Sequence, residues 1–312
     1  MARHESILDL IGNTPLVGVH ELSPNPDVRI YAKLEGQNPG GSSKDRIALK
    51  MVELAERDGV LPPGATILEP SSGNTGIGLA LVARRRGYKL RVVMPENVSV
   101  ERRKLLEIFG AEVTLSPGDE GSNGAIRLAQ KIVSDEPEYV MLFQYGNPAN
   151  PLAHYEGTGP EIWRDCPEVD VFVTGLGTSG TLMGVGRYLK ERSSDVKVVA
   201  VEPPAGELVQ GLRNLDDGFV PPIFEPGVLD RKLIVRPRES ITGTRRLLDE
   251  CGVFAGISSG AAAMGAIKIA STMESGTIVT LLPDGGWKYL SSGAWTDDLD
   301  VVEERAQRIN YW

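Results

Sequence analysis

The alternation of short strand-like runs with helical stretches restricts this chain more than any other feature. Val28, Ile30, Ala32 and Leu34 alternate with Arg29, Tyr31, Lys33 and Glu35, the period-two pattern of a half-buried strand. From Lys44, apolar residues recur at helical spacing through Ile47, Ala48, Met51, Val52, Leu54 and Ala55, with Ser42 or Ser43 as cap and Gly59 as stop. Further strand-like runs occupy 65–69, 90–94, 111–115, 139–143, 169–174, 196–201 and 277–282, mostly separated by helical segments. Parallel strands need long crossovers, which helices provide, so the pattern predicts mostly parallel sheets covered by helices on both faces. Seven runs after the first exceed one compact unit, and two doubly wound α/β domains are expected. The stretch Tyr145 to Pro151 (YGNPANP) is a crossing point between them, and Pro203 to Pro222 is a second break. Neither reads as a long flexible linker, and no repeat or low-complexity tract is visible.

Charge and cysteine usage narrow the function classes. With 33 basic against 42 acidic residues the formal charge is −9, which disfavours bulk nucleic-acid binding. Cys166 and Cys251 form no C-x-x-C, and the histidines are only His4, His20 and His154, so neither a disulfide framework nor a metal site is indicated. The cytoplasm is the expected compartment. The first residues carry charges and no apolar core, so no signal peptide is expected, and no apolar run reaches the roughly 18 residues a membrane helix needs.

Open α/β sheets bind ligands at the carboxyl ends of their strands, and four loops there are unusual. Gly175-Leu176-Gly177-Thr178-Ser179-Gly180-Thr181 leads into a helix starting near Thr181 or Leu182. Its glycines let successive N–H groups converge at a helix N-terminus, which suits a phosphate. It carries no G-K-[ST], so triphosphate hydrolysis is not implied; a tight strand-to-helix turn is the alternative. Ser71-Ser72-Gly73-Asn74-Thr75-Gly76 offers donors for a small carboxylate, or alternatively a helix cap. Gln144-Tyr145-Gly146-Asn147 and Asp284-Gly285-Gly286 complete the set. In Asn38-Pro39-Gly40-Gly41-Ser42-Ser43-Lys44-Asp45-Arg46, Lys44 opens a helix, where the macrodipole disfavours an ammonium. Field and burial together would lower its pKa, as an amine nucleophile requires; an exposed Lys44 paired with Asp45 is the other reading.

NPGGSSKDR, SSGNTG, QYGNPAN, GLGTSGT, GISSG (Gly256 to Gly260) and PDGGWKYLS (Pro283 to Ser291) together resemble the fold-type II pyridoxal-phosphate enzymes of the cysteine synthase and cystathionine β-synthase family. The match extends from Gly12-Asn13-Thr14-Pro15-Leu16 to Ser292, nearly the whole chain. Small departures are Ser71 for the usual Thr and Ser179 for a common Gly or Thr. The resemblance implies pyridoxal 5′-phosphate as cofactor, bound covalently by Lys44, which later moves the α-proton. Asn74 would meet the 3-hydroxyl oxygen, Gly177, Thr178, Ser179, Gly180 and Thr181 the phosphate, and Ser258 the pyridine nitrogen. A neutral hydroxyl at that nitrogen suits β-elimination better than transamination. Ser71, Ser72, Asn74, Thr75 and Gln144 would hold the substrate carboxylate. The implied activity is β-replacement on an O-activated L-serine through an aminoacrylate, giving L-cysteine. A smaller mobile domain, 37–148, would close on a larger one, 1–36 and 149–312, that holds the cofactor phosphate.

Neither a haem-binding extension nor a regulatory domain of the animal cystathionine β-synthase type is expected, and the resemblance is to a bare catalytic core. Gly211-Leu212-Arg213-Asn214-Leu215-Asp216-Asp217-Gly218-Phe219-Val220-Pro221 resembles the actinobacterial cysteine synthase B group, in which the arginine matching Arg213 recognises O-phosphoserine. A guanidinium fits a phosphate fork and has nothing to pair with in an acetyl group; a surface Arg213 paired with Asp216 or Asp217 is the alternative. O-phosphoserine is therefore the favoured donor, ahead of O-acetylserine. Cystathionine β-synthase and serine or threonine dehydratase are the other activities of this scaffold, and a silent ligand-binding regulator is disfavoured by Lys44, Asn74 and Ser258. Sulfide or a thiocarboxylated carrier protein would bring the sulfur, and a homodimer is expected by resemblance. The terminal Tyr311-Trp312 would follow that group's C-terminal tail into the active site, or dock on the core as a helix end.

Overall fold

The computed structural model describes residues 3–71 and 73–308, so Ser72 and the Tyr311-Trp312 tail lie outside the described residues. The chain lays down β1 (Leu16–Gly18) and β2 (Val28–Leu34), then α1 (Lys44–Arg57), β3 (Thr66–Pro70) and α2 (Asn74–Arg86). Next come β4 (Lys89–Pro95), α3 (Val100–Phe109), β5 (Glu112–Ser116), α4 (Gly121–Asp135) and β6 (Tyr139–Met141). Short helices α5 (Ala149–Ala153) and α6 (Gly159–Asp165) lead to β7 (Val171–Gly175), α7 (Gly180–Arg192), β8 (Lys197–Glu202) and β9 (Arg231–Ile234). The chain ends with α8 (Pro237–Cys251), α9 (Ile257–Ala270), β10 (Gly276–Leu282), a 3₁₀ segment (Gly286–Ser292) and α10 (Leu299–Arg308).

These strands form two sheets, one of order β1-β2-β10-β7-β8-β9 and one of order β5-β4-β3-β6. Every pairing is parallel except β1 with β2. The chain thus begins the larger sheet, leaves it to build the smaller one, and returns. Both faces of the larger sheet are covered: Ile30, Val173 and Ile278 face one apolar cluster, Phe172, Val198 and Val279 another. The α/β class with mostly parallel strands is as the alternation demanded.

The differences have local causes. The edge strands β1 and β9 escape the sequence pattern because they are short and largely exposed, so neither needs alternation. The run 139–143 stops as a strand at Met141, since Phe143 turns into the left-handed region at φ 56°. Lys33 and Glu35, expected on the wet side of β2, are fully buried. A parallel strand is covered on both faces, and here one of those faces holds paired charges.

Candidate active site

The carboxyl ends of β3, β7 and β10 and the loop after β6 open on one cleft, as the switch-point geometry of α/β sheets requires. It is lined by Lys44, Ser71, Asn74, Thr75, Gln144, Gly177, Thr178, Ser179, Thr181, Arg213 and Ser258, so nearly all of the expected site residues converge. Counting the solvent at its open mouth, the cleft holds about 920 Å³. Gly180 is the exception among the described residues. It stands behind the lining, where a Cβ would fall 1.8 Å from Asn150 Oδ1. Its lack of a side chain admits Asn150, which in turn donates to Thr178 Oγ1 at 2.9 Å and to the Gln144 carbonyl at 2.9 Å.

Lys44 is the first residue of α1, and the preceding loop is fixed to the end of β10. Ser43 N–H donates to the Pro283 carbonyl at 2.8 Å, and Ser42 pairs with Asp284 as an isolated bridge. Ser42 Oγ, not Ser43, accepts the Lys44 N–H at 3.2 Å. Burial pushes the Lys44 amine below its usual pKa, and the charges of Asp284 and Glu35 offset part of that shift. Asp45 is not its partner: that carboxyl accepts the Gly40 N–H. Burial drives Asp45 up to about 7, with the positive charge of Lys288 pulling the other way.

A carboxyl whose pKa is raised by folding binds its proton more tightly in the native state. The stability it confers is full below about pH 4 and is lost as pH climbs to about 7. Asp45→Asn should therefore flatten the pH dependence of stability between about pH 5 and 7 by about 2 kcal/mol. Urea unfolding at the two pH values checks this, and an unchanged slope contradicts it.

The SSGNTG loop serves in part as a cap. Ser71 Oγ accepts the Gly76 N–H at 3.0 Å and the Gly73 N–H at 3.3 Å at the start of α2. Thr75 Oγ1 donates to Gln144 Oε1 at 2.6 Å, tying this loop to the one after β6. Beneath them Glu69, fully buried on β3, accepts the N–H groups of Phe143 and Gln144 at 2.8 and 2.9 Å. Burial raises its pKa to about 7.

On the GLGTSGT loop the helix begins at Gly180, slightly earlier than expected. Ser179 adopts φ 69°, and its Oγ is buried with no hydrogen-bond partner among the described residues. An orphan hydroxyl beside the open N–H groups of a first helical turn is what a bound phosphate would satisfy. Thr181 Oγ1 is within 3.1 Å of His154 Nε2, and burial holds His154 down at about 3, hence neutral.

The PDGGWKYLS segment, Pro283 to Ser291, supplies contacts that no local feature of its sequence announces. Asn74 Nδ2 donates to Asp284 Oδ2 at 2.7 Å, and Lys288 Nζ donates to Asn74 Oδ1 at 2.7 Å. Tyr289 OH also donates to Asp284 Oδ2. Arg102 of α3 reaches into the cleft over the Tyr289 ring, 4.9 Å from its centroid. Arg213 is buried in the cleft wall, donates to the Phe219 carbonyl at 3.1 Å, and lies over the rings of Tyr145 and Phe219.

Lys44, Arg102 and Arg213 thus line the cleft, and no carboxylate is among its described lining residues. Within a chain of net charge −9, this is a local site for anions. Among the described residues no group of three or more His, Cys, Asp or Glu is placed to hold a metal ion, and no described helix is long and apolar enough to cross a membrane.

The family described as "Pyridoxal-phosphate dependent enzyme" matches residues 7–284. A cysteine synthase of Staphylococcus aureus (strain N315) is 43% identical over 304 residues, covering 94% of this chain and 98% of that protein. Among solved structures, O-ureido-L-serine synthase superposes with a TM-score of 0.89 at 41% identity, over 94% of this chain and 96% of that one. The cysteine synthase of Entamoeba histolytica does so with a TM-score of 0.89 at 36% identity, over 97% and 95%.

Proposed function

The chain belongs to the pyridoxal-phosphate-dependent enzymes of cysteine synthase type, and on that footing we propose that it makes L-cysteine from O-phospho-L-serine and a sulfur donor. Its cofactor is pyridoxal 5′-phosphate. One observation carries the substrate reading: a cationic cleft, with no carboxylate among its described lining residues, that Arg213 lines together with the loops expected to hold the cofactor and amino acid.

When bound, the cofactor supplies the electron sink for chemistry at the α-carbon. Lys44 holds it covalently and then takes the α-proton, a role its depressed pKa favours. Gly177, Thr178, Ser179 and Thr181, which line the cleft, would hold the phosphate with N–H and O–H donors, Gly180 admits the Asn150 brace, and Ser258, also in the lining, would meet the pyridine nitrogen. Asn74 meets the 3-oxygen. Ser71, Asn74, Thr75 and Gln144 hold the substrate carboxylate; Ser72, expected in the same role from its motif, lies outside the described residues. Arg213 pairs with the departing phosphate, whose charge grows as the bond to the β-carbon breaks. Sulfur then takes its place on that carbon and Lys44 returns the α-proton; sulfide gives L-cysteine directly, whereas sulfur from a thiocarboxylated carrier leaves the carrier's acyl group on the product until hydrolysis releases it.

We also read residues 37–148 as the unit that closes over 1–36 and 149–312, excluding water from the reacting carbon. Its α3 already meets the other unit: Ser291 donates to Glu101 through N–H and O–H, both at 2.8 Å. A cytoplasmic homodimer completes the reading.

Comparison of kcat/KM for O-phosphoserine and O-acetylserine tests it. The wild type should prefer the phosphorylated donor. Arg213→Ala should lower kcat/KM for that donor by about 100-fold, the worth of a bidentate charge-assisted contact, and change the acetylated donor by less than about threefold. A phosphoserine preference that survives Arg213→Ala defeats the donor assignment.

A further inference from the structure

We infer that Lys288 is a positioning residue that fixes the Asn74 amide so that an N–H, not the carbonyl, is presented to the cofactor's 3-oxygen. The inference rests on the role proposed above for Asn74.

An asparagine amide has two nearly isosteric ends, and only its partners decide which way round it sits. Lys288 Nζ can only donate, and it lies 2.7 Å from Asn74 Oδ1. Asp284 Oδ2, 2.7 Å from Asn74 Nδ2, takes one of the two N–H bonds. One N–H is left, and Asn74 lines the cleft.

Lys288 reaches Asn74 from the 3₁₀ segment. It is fully buried, and its other hydrogen bond is to the Gly41 carbonyl at 3.2 Å, on the loop leading to Lys44. One side chain thereby joins the 3₁₀ segment, the Lys44 loop and the start of α2. The charged groups around it are Asp284 of its own segment, Asp45 and Lys44 of α1, and Arg102 of α3. Burial lowers Lys288 to about 8, and the two aspartates work against that shift. A buried ammonium is costly unless its hydrogen bonds are filled, so the Asn74 contact holds both partners.

The test is the equilibrium dissociation of pyridoxal phosphate from the holoenzyme, followed by the visible absorbance of the bound cofactor, in a double-mutant cycle. Lys288→Met keeps the stem and removes the donor. It should weaken cofactor binding by about 10-fold to 100-fold, as expected for a lost charge-assisted hydrogen bond. In an Asn74→Ala background the same change should cost less than about threefold, because Lys288 then has no amide to orient. Equal losses in both backgrounds, or no loss from Lys288→Met, overturn the inference. If Asn74→Ala itself leaves binding unchanged, the assignment of Asn74 fails and this inference with it. If Lys288→Met does not fold, Lys288→Gln is read in the same cycle, with the same requirement that its loss vanish in the Asn74→Ala background.

Discussion

Lys44→Ala should lower turnover by about a thousandfold or more, the share expected of a catalytic proton carrier, while leaving the fold almost untouched. The separation of the two effects follows from how Lys44 is held. It makes no ion pair among the described residues and faces the cleft from the first turn of α1. Removing its side chain therefore leaves no partner stranded. Burial of an ammonium at a helix N-terminus works against stability, so its loss relieves a cost. Steady-state kinetics read the first effect and urea unfolding the second. Turnover within about tenfold of wild type contradicts the role given to Lys44.

Two residues further along the same helix, the opposite outcome is expected. Arg46→Met should destabilise the protein by about 3–5 kcal/mol, the usual consequence of breaking a buried ion pair from one side. Arg46 Nε and Nη2 bind Glu35 at 2.7 and 2.8 Å, and its Nη1 and Nη2 bind Glu161 at 2.6 and 2.8 Å. Thr14 Oγ1 donates to Glu35 at 2.6 Å, and Lys33 Nζ lies 2.8 Å from Glu161. The guanidinium holds Glu35 below the usual carboxylate range although burial opposes it, and Glu161 falls to about 2. Without Arg46, Glu161 would keep Lys33, but buried Glu35 would keep only neutral partners, Thr14 and Asn38. This cluster anchors α1, which carries Lys44, to β2 and α6. A loss below about 1 kcal/mol on urea unfolding would show that the cluster does not fasten the helix.

The contrast between Lys44 and Arg46 shows what a sequence discloses. Lys44 was legible because its position is anomalous for its type: a cation at a helix start, in a glycine-rich loop, following an apolar strand. The remaining loops declared themselves similarly, through glycine, hydroxyl and amide residues crowded at strand ends. The strands that pack on both faces were legible from their apolar runs. Arg46, Glu35, Lys33 and Glu161 were not, because each reads as an ordinary surface charge until helix and strand are brought together. Glu69 and Asn150 were hidden for the same reason, since they brace the site through backbone groups of other loops. Lys288 lies within the PDGGWKYLS motif, yet its partner Asn74 is 214 positions away. Nothing local marks a side chain whose work is to orient another.

The cofactor's aldehyde should be held by Lys44 and by no other lysine. Lys288 makes the question a real one, because a second buried amine bonded to Asn74 borders the same site. Borohydride reduction of the native holoenzyme would fix the attachment, and peptide mass mapping would locate it. The pyridoxyl group should appear on the peptide containing Lys44 alone; its appearance on the peptide containing Lys288, or on no lysine at all, would contradict the account.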